Sequence, residues 1–393
     1  MHSGTMTPRH AVFAAFIAFG AGYGLWAGAI ASVALRSGMT PQLLGYAVTT
    51  FIAASLLGMA GGGVLSRSRS IKTLLLCSIA LAMAALIVLL NVQSPAGFLA
   101  GITAFGLVAG AFDGLMNAEG TAVEAEIGRP VLAGFHASAS FASAATAILG
   151  SLVMTHGGPL ATALLACLVY GAALIAVRRL TPRRAVAALD DTAPPQSWRF
   201  NRPIVLLGLI VGICIAGEMA AIMFSAPALA AQSPELAAYA GFGATAFSLC
   251  QGLVRCWADR FRRRLGDLRV MELSILGAAL GFAVVATSTS FAQSAVGFAL
   301  IGAGTGCLVP CGFSLAPRYA GLAAAQALGV LALVTALPRI PAPLLFGEMA
   351  ERFAYPVAFA VNGLLFALAL ALTAWLRRRP QAQAPAPVAT LAG

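Results

Sequence analysis

Acidic residues and lysine are scarce in this chain. Its 393 residues hold 13 Asp and Glu together, and lysine occurs once, at Lys72. Charged residues make up 9% of the whole, against about a quarter in ordinary soluble domains, so that class is excluded. No glycine-rich loop sets a lysine at a helix start to cradle a phosphate, so no nucleotide-hydrolysing site is encoded. Histidine is nearly as scarce, and of the four only His136 stands within an apolar stretch. The seven cysteines lie inside or at the end of apolar runs, in spacings that match neither a disulfide framework nor a zinc site. No paired nucleophile motif, metal set or cofactor is expected, and an enzyme is not the expected reading. The net charge of +11 does not indicate nucleic acid, because its arginines are scattered through short connections and form no basic soluble face.

What is present is one apolar run after another. Apolar residues reach 60% and the mean hydropathy is +0.90. Twelve stretches are long enough to cross a bilayer: 11–35, 43–65, 73–91, 96–118, 131–155, 159–177, 203–228, 236–257, 270–287, 291–313, 322–346 and 355–376. The first follows Arg9 but is longer than a signal-peptide core, so it reads as a retained helix. Connections alternate between arginine-rich and nearly uncharged. Of 24 Lys and Arg residues, 20 fall on one side, Arg36 and Arg352 fall on the other, and Arg255 and Arg339 lie within spans. Cytoplasmic segments retain Lys and Arg. The bias therefore predicts a multi-pass protein of a bacterial inner membrane with both termini cytoplasmic.

The longest break, rich in arginine and carrying Asp190, Asp191, Pro194 and Pro195, divides the chain. The expected organisation is a six-helix bundle over 1–177, a cytoplasmic linker over 178–202, a second six-helix bundle over 203–379 and a disordered tail over 380–393. Glycines recur at four-residue intervals in the first and fourth helix of each half. They are Gly20, Gly24 and Gly28; Gly106, Gly110 and Gly114; Gly208 and Gly212; and Gly302 and Gly306. Such stripes let helix backbones approach closely in lipid, and their recurrence points to a repeated three-helix unit.

Six plus six helices with basic second-to-third connections in both halves resemble the major facilitator superfamily over nearly the whole chain. Those connections are Ser66-Arg67-Ser68-Arg69 and Asp259-Arg260-Phe261-Arg262-Arg263-Arg264. The family's loop pattern has an aspartate where Ser66 stands in the first copy, whereas the second copy keeps Asp259 and Arg260. Asp113-Gly114-Leu115-Met116-Asn117, Glu124, Gly128-Arg129-Pro130 and His136-Ala137-Ser138-Ala139-Ser140 resemble the YbjJ-like branch of bacterial inner-membrane transporters. So do Arg255-Cys256-Trp257-Ala258-Asp259-Arg260 and the set Gly304, Pro310, Ser314 and Arg318. The resemblance implies an all-α membrane protein of twelve helices that moves a solute by rocking two halves about a central cavity.

Ionisable residues inside a bilayer are costly, so each is a functional candidate. With a helix ending at 118, Asp113 lies about 7–8 Å from the cytoplasmic end, at the level expected for His136 in the following helix. Asn117 and Ser140 follow them by four residues, on the same helix faces. An aspartate beside a histidine can pass a proton or form an inner gate, and it can equally serve as a polar latch. Glu218 and Arg339 are expected to share a depth in the outer half. Three readings of them stand: Arg339 binds an anionic cargo group while Glu218 takes a proton, the two form a permanent bridge, or Arg339 meets a lipid headgroup. Tyr23, Trp26 and Tyr46 are candidates for a cavity wall or for interface anchors. Glu119, Glu124, Glu126 and Arg129 are expected as a solvated loop cluster that braces helix ends, and Arg255 is expected to join Asp259 and Arg260 as a gate brace.

The expected activity is secondary active transport of a small organic solute, coupled to protons through Asp113, His136 or Glu218. Partners are the solute, protons and the bilayer; no nucleic acid is expected, and the oligomeric state is a monomer. Efflux of amphipathic compounds and uptake of a small polar metabolite both remain open, and a non-transporting sensor or scaffold is the rival of a different class.

Overall fold

The computed structural model describes residues 8–128, 131–180, 201–320 and 324–379. Among them the regular structure is helical throughout, with no strand. In chain order the helices are α1 Pro8–Arg36, α2 Pro41–Ser68, α3 Ile71–Leu90, α4 Pro95–Ile127, α5 Leu132–Val177, α6 Arg202–Gln232 and α7 Phe242–Leu265. They continue with α8 Asp267–Ala286, α9 Phe291–Thr305, α10 Leu308–Ala320, α11 Ala324–Arg339, α12 Ala342–Phe353 and α13 Tyr355–Arg377. A 3-10 turn, Pro234–Tyr239, joins α6 to α7. Ten helical segments are long and apolar enough to cross a membrane, counting α9 with α10 and α11 with α12 as single segments.

Local chemistry sets the ends of these helices. Thr40, Ser94 and Asn201 each accept a hydrogen bond from the backbone N–H three residues on, and each helix opens with proline at its first or second position. The cap satisfies one backbone donor that has no intrahelical partner, and the proline removes another. Two boundaries differ from the sequence reading. The fourth helix does not stop at 118, because Glu119, Glu124 and Glu126 are ordinary helix formers. It runs on to Gly128, whose φ of 68° ends it in the left-handed conformation. The connection expected at 156–158 shrinks to a single break within α5, at Gly158 (φ 71°, ψ −170°) before Pro159.

The glycine stripes locate the tightest helix pairs. A methyl group on Gly20, Gly24 or Gly28 would overlap the backbone of Ala139, Ser143 or Ala147, so α1 lies directly on α5. Gly106 and Gly110 meet the backbone of Phe51 and Ser55 on α2 in the same way. Further along, Gly208 and Gly212 of α6 meet Val334, Thr335 and Pro338 of α11, and Gly302 of α9 meets Phe247 of α7. The pairing α1–α5 with α2–α4 thus recurs as α6–α11 with α7–α9.

These two sets touch mainly toward the end that carries Arg36 and Arg352. There the Gln42 amide donates to Glu348 at 2.6 Å, and the Gln42 backbone N–H donates to Glu351 at 3.3 Å. A Cβ on Gly45 would stand 2.6 Å from the Pro343 carbonyl, and one on Gly347 would stand 2.8 Å from the Gly45 Cα. Ala27, Ala147 and Ala244 form a small buried cluster where α1, α5 and α7 meet. Along the α5–α7 seam Thr245 donates to the Ala144 carbonyl at 2.9 Å, and Ser143 and Ser248 share a hydrogen bond of 3.2 Å. Among the described side-chain bonds between α5 and α7, the one nearest the arginine-rich end joins Arg255 to Ser140.

Candidate functional site

Continuation of α4 to Ile127 changes where Asp113 lies. It stands 14 residues before that end, about 21 Å deep at 1.5 Å per residue. Tyr23 is likewise near the middle of α1, and Arg339 closes α11 at the break before Pro341 and α12, midway along Gln326–Phe353. The three side chains converge. Arg339 acts electrostatically on both Asp113 and Tyr23, and Tyr23 lies beside Ser55 of α2. One Asp113 carboxylate oxygen accepts the Asn117 amide at 2.8 Å. The buried Nε of Arg339 has no hydrogen-bond partner among the described residues. Phe19, Phe51 and Phe105 surround the Tyr23 ring, with centroids 4.7, 5.8 and 6.2 Å away. A proline-interrupted helix is tolerated at membrane depth where it lines a cavity or packs within protein, and Pro338, Pro341 and Pro343 make that interruption here.

Glu218 does not pair with Arg339 among the described residues. Its carboxylate accepts the Gln251 amide at 2.6 Å and lies 3.6 Å from the Arg255 guanidinium. The physical reason is position: α7 packs beside α6 and brings two long donors, Gln251 and Arg255, to one carboxylate, while α11 presents Arg339 toward Asp113 and Tyr23. Gln251 also reaches Thr305 on α9 at 3.3 Å, and Arg255 donates to the Ser140 hydroxyl of α5 at 2.8 Å. A network thus runs from Glu218 through Arg255 into the first set of helices. Removing one partner of a buried ion pair strands the other, typically at about 3–5 kcal/mol. Glu218→Ala should therefore destabilise the protein by about 3 kcal/mol in a denaturant titration, and Glu218→Gln combined with Arg255→Gln should recover most of that loss. A loss in the double variant equal to the sum of the Glu218→Gln and Arg255→Gln single losses would show that the pair is not coupled.

Several expected partnerships are not formed. His136 lies four residues into α5, about 6 Å deep, so it does not share the level of Asp113. Its ring meets Phe16 edge-on at 5.1 Å. Ser140, expected in a cavity, is buried between the His136 carbonyl and Arg255. Trp26 is fully buried against Phe98 at 5.6 Å and forms no cavity wall. Tyr46 is exposed near the start of α2. Glu119 is buried within α4 and does not join a solvated loop, since the helix simply continues past it. Glu124 reaches across the turn instead, accepting the backbone N–H groups of Val131 and Leu132 at 2.7 Å each and capping α5. Arg129 lies outside the described residues. Arg255 turns inward, away from Asp259; Asp259 meets Arg262 at 3.5 Å, and Arg260 lies over the Trp257 ring at 5.7 Å.

The hub of this end is Asp267, which the sequence reading did not single out. It is bound by Arg262 at 2.7 Å, Ser314 at 2.7 Å and Arg318 at 3.7 Å. In the sequence it is one acid among five neighbouring arginines, and only its seat at the start of α8 beside α10 distinguishes it. Gln251 and Thr305 were also missed, although polar residues inside an apolar span are a legible signal.

The family model of the Major Facilitator Superfamily matches residues 208–392. An uncharacterised MFS-type transporter of Yersinia pestis is 25% identical over 354 residues, covering 89% of this chain and 91% of its own. An uncharacterised transporter of Sinorhizobium fredii is 26% identical over 274 residues, covering 70% and 73%. Together these support a major facilitator superfamily transporter. The fold agrees: the nucleoside transporter NupG superposes with a TM-score of 0.73 at 14% identity, covering 95% of this chain and 100% of its own. The human organic anion transporter TETRAN gives 0.58 at 17% identity, covering 92% and 98%. At such identities the likeness is one of fold. The transporter is a non-enzymatic, multi-pass membrane protein, and its relatives support secondary transport.

Proposed function

We propose that this transporter carries a small organic solute by alternating access, with proton coupling, through a central site built by Tyr23, Asp113, Asn117 and Arg339. The observation that carries the reading is the convergence of Asp113 and Tyr23 with Arg339 at mid-helix depth, where the two helix sets face each other. Twelve spans in two six-helix halves follow if α5 turns back at Gly158 and α7 also crosses. A straight helix of 46 residues would be about 69 Å long, over twice the hydrocarbon thickness. The recurrence of the α1–α5 and α2–α4 pairing as α6–α11 and α7–α9 supports the two halves, joined by the 178–202 linker and followed by the 380–393 tail. Arginine bias supports a cytoplasmic position for the Arg262–Arg269 end and both termini in a bacterial cell. Inter-half contact then sits at the outer end, which describes an inward-facing state. The sequence likeness of Asp113 to Asn117 and of Arg255 to Arg260 is the basis for placing the protein in the YbjJ-like branch.

The test is flux in proteoliposomes over a panel containing nucleosides, organic anions and sugars, with and without a pH gradient. A carrier predicts saturable uptake of some members and acceleration when the outer compartment is the more acidic. No flux for any member would count against the reading, and flux indifferent to the gradient would remove proton coupling from it.

A further inference from the structure

Arg339, which closes α11 midway along Gln326–Phe353, is a cation whose compensating acid is not in contact. Arg255 has Glu218 at 3.6 Å and Ser140 at 2.8 Å. Arg339 makes no ion pair within 4.0 Å among the described residues, its Nε is buried without a hydrogen bond, and Asp113 acts on it only at longer range. Asp113 is similarly half engaged. One oxygen takes the Asn117 amide, and the other accepts no hydrogen bond among the described residues. Both groups act on the Tyr23 hydroxyl, which lies beside Ser55, and Phe51 and Phe105 flank the Tyr23 ring. An unspent guanidinium with forked donors is the geometry that takes a carboxylate.

We propose that the cargo is a small organic monoanion whose carboxylate takes the place of Asp113 opposite Arg339, and that each anion travels with one proton held on Asp113. The inference rests on the carrier reading above and deepens it. Two ionised carboxylates facing one guanidinium in a low-dielectric site repel each other, and protonating Asp113 removes that repulsion. Binding is therefore linked: the proton raises affinity for the anion, and the anion raises affinity for the proton by the same factor. The charged or titratable groups facing Asp113 are Arg339 from α11 and Tyr23 from α1, with Tyr170 of α5 acting on Tyr23 from behind. The Glu218–Arg255 pair is already neutral and stays out of the exchange. Net charge in the site is unchanged by uptake, so the cycle is electroneutral in its loaded step.

Equilibrium binding to the purified full-length protein tests this, with paired probes that differ by one anionic group: lactate and lactamide, benzoate and benzamide, gluconate and glucose. The expected result is that the acid of at least one pair binds and its neutral partner does not. Affinity for that acid should be about tenfold higher at acidic than at alkaline pH. Asp113→Asn should bind the anion equally at both pH values, Asp113→Glu should restore the pH dependence, and Arg339→Gln should lose the anion at both. Neutral partners binding as tightly as the acids, no acid binding at all, or pH dependence that survives Asp113→Asn would each overturn the proposal. Liposomes that carry only uncharged solutes would refute the anion while leaving alternating access standing, whereas liposomes with no flux of any kind would count against the carrier itself.

Discussion

Cysteines introduced at Gln42 and Glu348 and joined by a short bis-thiol cross-linker should bring transport to background, with full recovery when a cleavable linker is cut. The Gln42 amide lies 2.6 Å from Glu348, at the end where α2 meets α12 through Gly45 and Gly347. Helix faces that close cannot admit a solute between them, so this end has to part for the outward-facing state to exist. Rigid-body rocking of halves is the ordinary form of such a transition in carriers. The hydrogen bonds themselves are exposed or half-buried and contribute little individually, so the uncross-linked double variant should transport at close to the normal rate. Native cysteines include exposed Cys77 and Cys256, and the unsubstituted protein treated with the same reagent is the control. Full-rate transport by the cross-linked protein would mean that these ends never separate.

Gly110→Leu should leave little correctly assembled protein, whereas Gly63→Leu, on the neighbouring helix, should be close to neutral. A side chain at Gly110 meets the backbone carbonyl of Ser55 directly, and backbone cannot swing aside as a flexible side chain can. Overpacking costs typically about 1–3 kcal/mol where neighbours can adjust; here α2 and α4 have to separate along their length. The separation also moves Ser55 and, one turn beyond Gly110, Asp113. By contrast nothing lies within 4 Å of a methyl on Gly63. Monodispersity in size-exclusion chromatography after mild detergent extraction reads the difference. An equally monodisperse Gly110→Leu would show that the α2–α4 contact does not govern assembly.

The glycine stripes, the apolar runs and the arginine bias were all legible in the sequence, because each is a one-dimensional pattern imposed by lipid. Gly24 and Gly110 could be singled out by spacing alone, although the helices they face could not. Asp113 and Arg339 were also visible, as charges inside apolar runs. Their partners were not. The depth of Asp113 depended on a helix end, and Glu119 to Ile127 looked like a polar connection while forming about two and a half more turns. Placing Glu218 with Arg339 followed from equal depth, and depth says nothing about which way a side chain faces around the helix.

Sequence alone thus determined that this chain is an apolar, many-helix membrane protein with one strongly basic side, since composition and charge placement answer directly to the bilayer. Only the tertiary structure decided that Arg255 takes Glu218 and that Arg339 is left for Asp113. That choice depends on helix rotation and on which helices pack as neighbours, quantities that long-range contacts such as α1 on α5 and α6 on α11 set and that no local run of residues encodes.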